Sequence, residues 1–246
     1  MTKQRRRIGF VGLPPEEVLA PRRSEELIDL DNVIAGVAHE SESALPRTTC
    51  HIIRRVLDNA RALHLDEIVI EVGAGKCDSA RWLATVLEEK LSIPITRTEN
   101  NNRVGAGTPI CDSDLPLKKK FEMILDGIVN PHVGAQHAVP LQKPKVAFWG
   151  VPAADFSIYE LFPDGTQIAG WTRCLENRTP ADEALEQWVP EGVSTVFFAQ
   201  NFCAKAILAQ HLARQYNGLF VDIDGVLARP VRAKIEAFLR FNGAWD

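Results

Sequence analysis

Apolar residues recur along this chain in two alternating rhythms. A short run, Ile8 to Val11, has strand length and is stopped by Pro14 and Pro15. Residues Leu27 to Val37 hold one or two further strands, interrupted by Asp29, Asp31 and Asn32. From Thr49 the pattern sharpens: Ile52, Ile53, Val56, Leu57, Ala60 and Leu63 fall at helical spacing, and Ile68 to Val72 follow as a continuous buried strand. Gly73 and Gly75 break that strand. Trp82, Leu83, Val86, Leu87 and Leu91 then mark a second amphipathic helix, and Ile93 to Thr96 a short strand. Strand, glycine turn, helix, strand is a βαβ unit, which requires a parallel pair joined by a right-handed crossover.

Glu99 to Leu115 reads as loop, and Leu117 to about Val129 as one helix. The three prolines between Asn130 and Pro144 mark a linker. Beyond it the alternation resumes with strand Val146–Trp149, helix Phe156–Phe162 and strand Gln167–Trp171. A short helix capped by Thr179 with Pro180 at its first position follows, then strand Thr195–Ala199, helix Ala204–Tyr216, strand Leu219–Ile223 and a closing helix through Leu239. The expected fold class is α/β, with two Rossmann-like, mainly parallel three-layer lobes. The expected domains are 1–130 and 145–246, with 131–144 as the linker.

With 246 residues, 46% of them hydrophobic, the chain can bury a sizeable core. No apolar run approaches bilayer-spanning length and no signal-peptide core follows the basic start, so a cytoplasmic protein is expected. A net charge of -4 argues against a general nucleic-acid binder. Five cysteines in a reducing compartment are core fillers, reactive thiols or metal ligands rather than a disulfide framework. Their placement is informative. Cys50 opens the helix before the first clear strand, while Cys77 and Cys203 each follow a strand and begin a helix. Cys174 is expected at the end of the strand Gln167–Trp171, and Cys111 in the loop. At the carboxyl rim of a parallel sheet, a helix N-terminus offers free N–H groups and a positive dipole end, which favour a thiolate and suit sulfur for binding a metal.

LPRTTCHIIRRVLDNARALHLDEIVI, GAGKCDSARWLATVLEEKLSIPI, KVAFWGVP, TRCLENR, FFAQNFC and RAKIEAFL, in that order, resemble segments of the 2-hydroxyacyl-CoA dehydratase and benzoyl-CoA reductase family. The resemblance implies a 4Fe-4S cluster on Cys50, Cys77 and Cys203, with Cys174 as a substitute ligand. It further implies low-potential electron transfer, or lyase or reductase chemistry on a CoA thioester, with a second dehydratase-like subunit and an ATP-dependent activator as partners. It assigns no catalytic residue, and a homo-oligomer stays open. The stretch from Cys77 to Lys145 is shorter than in that family, so a non-catalytic binding or assembly subunit is a further alternative.

A rival reading takes IVIEVGAG as the first motif of a class I methyltransferase. Glu71, Gly73 and Gly75 would then approach S-adenosylmethionine, Glu99 its ribose, and Asp112 or Asp114 the adenine. Cys77 stands where that motif expects a third glycine. A ribonuclease-H-like set of carboxylates at Asp29 or Asp31, Glu71 and Glu99 also fits the strand order. A P-loop is excluded, because Ile70 stands where its first glycine is required and Cys77 follows Lys76 in place of Ser or Thr. His51 reads as solvent-facing, Asp78 as a cap for the helix begun at Cys77, Asp222 and Asp224 as a strand-end turn, and the five tryptophans as core.

Overall fold

Strands that are apolar at every position can be buried on both faces only if helices cover both sides of their sheet. In the computed structural model this happens twice. The structure describes residues 5–38, 45–130, 139–141 and 143–245. The chain divides into two compact units, residues 1–103 and 104–246.

The first unit contains β1 (Arg7–Val11), α1 (Glu16–Leu19), β2 (Glu26–Asp29), α2 (His51–Ala62), β3 (Glu67–Glu71), α3 (Asp78–Lys90) and β4 (Ile95–Thr98). Its four strands are all parallel, in the order β2-β1-β3-β4. Ile8 of β1 lies beside both Leu27 of β2 and Glu67 of β3, and Ile68 lies beside Ile95 of β4. Every residue of β3 is buried, glutamates included. Glu67 survives there because Arg22 donates to it at 2.6 Å and Thr96 at 2.9 Å. These partners hold its carboxyl below the usual range against the effect of burial.

The second unit contains α4 (Leu117–Val129), β5 (Val146–Gly150), a 3-10 helix (Phe156–Leu161), β6 (Gln167–Ala169), α5 (Trp171–Asn177), α6 (Glu183–Gln187), β7 (Ser194–Gln200), α7 (Lys205–Gln215), β8 (Leu219–Ile223) and α8 (Arg229–Phe241). Its sheet repeats the wiring of the first: four parallel strands in the order β6-β5-β7-β8. Trp149, Ala169, Phe197, Ala209 and Leu212 form one side of its core. On the other side Phe148 sits edge-on to Tyr159, whose ring stacks on Phe121 of α4 at 4.0 Å.

That stack corrects the expected boundary. The sequence pattern places the helix at 117–129 in the first domain, but its apolar face, with Phe121 fully buried, belongs to the second unit, and the division falls at 103/104. Of the expected linker 131–144, residues 131–138 and 142 lie outside the described residues. Pro140 forms a bridge with Ser113, so this part of the segment lines the second unit.

The expected strand at 167–171 is another correction: it ends at Ala169, and Trp171 already starts α5. Gly170, with φ 75°, makes the break, and a Cβ there would lie 2.8 Å from the Trp149 ring. The helix expected from Pro180 begins instead at Glu183, capped by Asp182, whose carboxylate accepts from Leu185 N. The expected helix at 156–162 is a 3-10 helix. Two tryptophans, Trp149 and Trp171, are core, whereas Trp82 is 70% exposed and Trp245 52%.

Candidate functional site

Strand order reverses direction between β1 and β3 in the first unit, and ligands of open α/β sheets bind in the crevice at such a switch point. Here β1 is followed by Gly12, whose φ of 78° turns the chain away. Its N–H donates to Asp31 Oδ2 at 2.6 Å. Lys76 lies over the same glycine, so closely that a Cβ on Gly12 would fall 2.2 Å from its Cε and Nζ. Glu71, fully buried at the end of β3, accepts from Gly73 N at 2.6 Å through Oε1, while its Oε2 has no hydrogen-bond partner among the described residues. Burial raises the Glu71 carboxyl, opposed chiefly by the Lys76 charge.

The loop after β2 is held from the side by α2. Asn59 Nδ2 donates to Leu30 O and Asn32 O, each at 2.9 Å, and Arg55 Nη1 donates to Asp31 O at 2.9 Å. Asp29 accepts from Asp31 N and from Asn32 Nδ2. Burial, followed by the charge of Asp31, pushes the Asp29 carboxyl up to about 8. The buried Arg55 guanidinium supplies countercharge to both aspartates. Arg55 and Asn59 were not singled out from sequence. The available signal was two polar residues at i, i+4 inside the apolar stripe of an amphipathic helix, where a buried polar group must be meeting a partner.

Cys50 and Cys77 border this cluster. Each is the N-cap residue of a helix, α2 and α3 respectively, with extended backbone (ψ 150° and 158°). Cys77, not Asp78, therefore holds the cap position of α3, and Asp78 lies in the exposed first turn, 3.9 Å from Arg81. Cys50 is buried and Cys77 half-buried. Burial raises the Cys50 thiol, the amides of Ile53 and Ile52 oppose that rise, and the charges of Cys77 and Asp31 add to it. Cys77 is thus among the groups that act on Cys50. Neither side chain makes a capping hydrogen bond of good geometry.

The switch point of the second unit lies between β5 and β7 and is also filled by protein. Gly150 approaches the neighbouring strand so closely that a Cβ would meet Phe198 O at 2.4 Å. Gln200, fully buried at the end of β7, spans the crevice: with its amide oriented to satisfy both ends, Nε2 donates to Ile223 O at 3.0 Å and Oε1 accepts from Ala154 N at 3.1 Å. Asp155 ties the same loop to the turn after β8, accepting from Leu227 N at 2.9 Å. Cys203 stands just beyond, half-buried, its N–H bonded to Gln200 O. Phe202 before it adopts the left-handed region at φ 59° and is 52% exposed.

The remaining candidates fall elsewhere. Cys174 lies inside α5 rather than at a strand end, is fully buried with Sγ 3.6 Å from Asp182 O, and is pushed up to about 12 by burial and then by the Glu186 charge. Cys111 is fully buried, its thiol raised well above the ordinary value. Gly73 is packed against its own chain, 2.7 Å from Glu71 Oε1 for an added Cβ, and Glu99 is exposed after β4. Asp112 is held by Arg173 at 2.7 and 2.8 Å and by Gln167 at 2.7 Å. Asp222 and Asp224 are both exposed. Among the described residues, no group of three or more His, Cys, Asp and Glu side chains is gathered as a metal site, and no helix is long and apolar enough to cross a membrane.

No family model matches the chain, and no curated protein does. Among solved structures, a pyrethroid hydrolase, PytH with BIF, is similar over 98% of each chain at 17% identity and a TM-score of 0.21. At that level of likeness neither fold nor chemistry carries over.

Proposed function

We propose that this chain is an iron–sulfur protein in which Cys50 and Cys77 are thiolate ligands of a 4Fe-4S cluster. The observation that carries the reading is their pairing: two cysteines 27 residues apart are the N-cap residues of two different helices of the first unit. Helix N-termini favour thiolate, and thiolate is the ligand such clusters use. Two thiols do not complete a donor set. The family resemblance assigns a third ligand, Cys203, which belongs to the second unit, follows a strand, precedes a helix and is half-buried. Cys174 suits a ligand role less, because it lies inside α5 with its side chain fully buried rather than at a helix start. A bound cluster would supply one-electron transfer at low potential, for which dehydration or reduction of an acyl-CoA thioester, a second similar subunit and an ATP-driven electron donor belong to the same proposal.

The test is anaerobic purification followed by iron and sulfide analysis and electron paramagnetic resonance. Protein with about four irons and four sulfides per chain is expected, as a 4Fe-4S cluster requires. Cys50→Ser, Cys77→Ser and Cys203→Ser should each lower bound iron sharply, and Cys111→Ser should not. Colourless protein after reconstitution, with thermal stability raised by S-adenosylmethionine, would overturn the reading in favour of the methyltransferase alternative.

A further inference from the structure

Away from both rims, the second unit contains a cavity of about 330 Å³ between α4, the end of α5 and the loop before α4. Its apolar wall is Ile110, Met123, Ile124 and Leu175. Among the described residues, no aromatic side chain lines it. The polar groups at its edge are already engaged. Glu176 accepts from Ile110 N at 2.6 Å and Cys111 N at 2.9 Å, Asn177 Oδ1 accepts from Gly107 N at 2.7 Å, and Arg178 Nη2 donates to Gly127 O at 2.7 Å.

Gly127 is the unusual feature. It lies within α4, where glycine costs about 1 kcal/mol relative to alanine. Its helical backbone demands no glycine, and a Cβ there would meet nothing within 4 Å among the described residues. Among the described residues, neither conformation nor packing accounts for it. What a side chain at 127 would remove is open space in the cavity it lines.

We propose that this cavity binds the short, uncharged aliphatic chain of a small molecule, which lies against the bare backbone of Gly127. The volume is that of a small-ligand site. The wall offers dispersion contacts with an adaptable methionine and no ring to stack upon. With Glu176, Asn177 and Arg178 committed to backbone groups, a charged ligand end would be desolvated without recompense, so the buried part must be apolar. The site is independent of the iron–sulfur reading and stands or falls separately from it.

The chain has two methionines, Met1 and Met123, so protein labelled with carbon-13 at the methionine methyl group reports the cavity through one resonance, with Met1 as reference. Titration with 1-hexanol should shift the Met123 signal saturably. Gly127→Leu, which fills the space, should weaken binding at least tenfold, and Gly127→Ala should weaken it severalfold while raising Tm. The alanine variant keeps the test decisive if the leucine variant does not fold. The proposal is overturned by a Met123 signal that does not saturate, by unchanged affinity in the folded variants, or by hexanoate binding more tightly than hexanol.

Discussion

At Lys120 burial and charge conflict directly. Its ammonium is fully buried, with Nζ donating to Ser113 O at 2.5 Å, Thr166 O at 2.7 Å and Cys111 O at 3.4 Å. Burial lowers its pKa to about 8, despite the charges of Cys111, Asp112, Asp114 and Glu176, which favour the ammonium. The folded chain therefore binds fewer protons than the unfolded chain between about pH 8 and the ordinary lysine value, and this residue's contribution to stability rises through that window. Lys120→Met should abolish the rise. It should also cost about 3 kcal/mol at neutral pH, since three buried carbonyls lose a donor, as read from urea midpoints. Asp29 has the opposite sense. With its pKa raised to about 8, the folded chain holds a proton that the unfolded chain has released, so its contribution falls as pH rises from about 4 to 8. Asp29→Asn should flatten that part of the stability profile and make the protein more stable than the parent at pH 8.

At the scale of elements, the turn from β7 into α7 holds an aromatic residue where glycine is preferred. Phe202 at φ 59° carries about 1–2 kcal/mol of backbone strain. Its half-exposed ring recovers only part of the burial that would offset it. Phe202→Gly should leave the fold intact and change stability by less than about 1 kcal/mol in either direction, whereas Phe202→Val should destabilise by more, because a β-branched residue tolerates this region least. The alternation of apolar runs made β1, β3, β5, β7 and β8 and helices α2, α3, α4, α7 and α8 legible from sequence, because buried parallel strands are nearly continuous in hydrophobicity and their helices are amphipathic. The end of β6 was not legible, because Gly170 and the Trp149 ring stop a strand that the apolar pattern continues to Trp171. Nor was the start of α6, where Asp182 caps in preference to Thr179. Cys50 and Cys77 were legible as helix starters. The plugs at the two switch points were not, since the roles of Lys76 and Gln200 depend on strands that are neighbours in space but far apart in sequence.

At the scale of the molecule, the two units share one strand order, and each closes its crevice with a side chain of its own. They differ in optical content. Trp82 is the sole tryptophan of residues 1–103 and is 70% exposed, while Trp149, Trp171, Trp188 and Trp245 all belong to residues 104–246. Tryptophan fluorescence should therefore follow the second unit and far-ultraviolet circular dichroism both. Lys120→Met should move the fluorescence midpoint in urea by more than the dichroism midpoint, and coincident shifts would mean that the units unfold as one.

Because every residue of the first unit precedes every residue of the second, the ribosome releases β1 to β4 before β5 exists. At ordinary rates of synthesis the remaining chain takes on the order of ten seconds to emerge. Before that interval begins, β1 must wait for β3, across the whole stretch from Ile8 to Glu67, for the partner of its inner edge. Nascent chains of this protein have an open strand edge early in synthesis, and an interval to close it before a second, identically wired sheet can offer it the wrong partner.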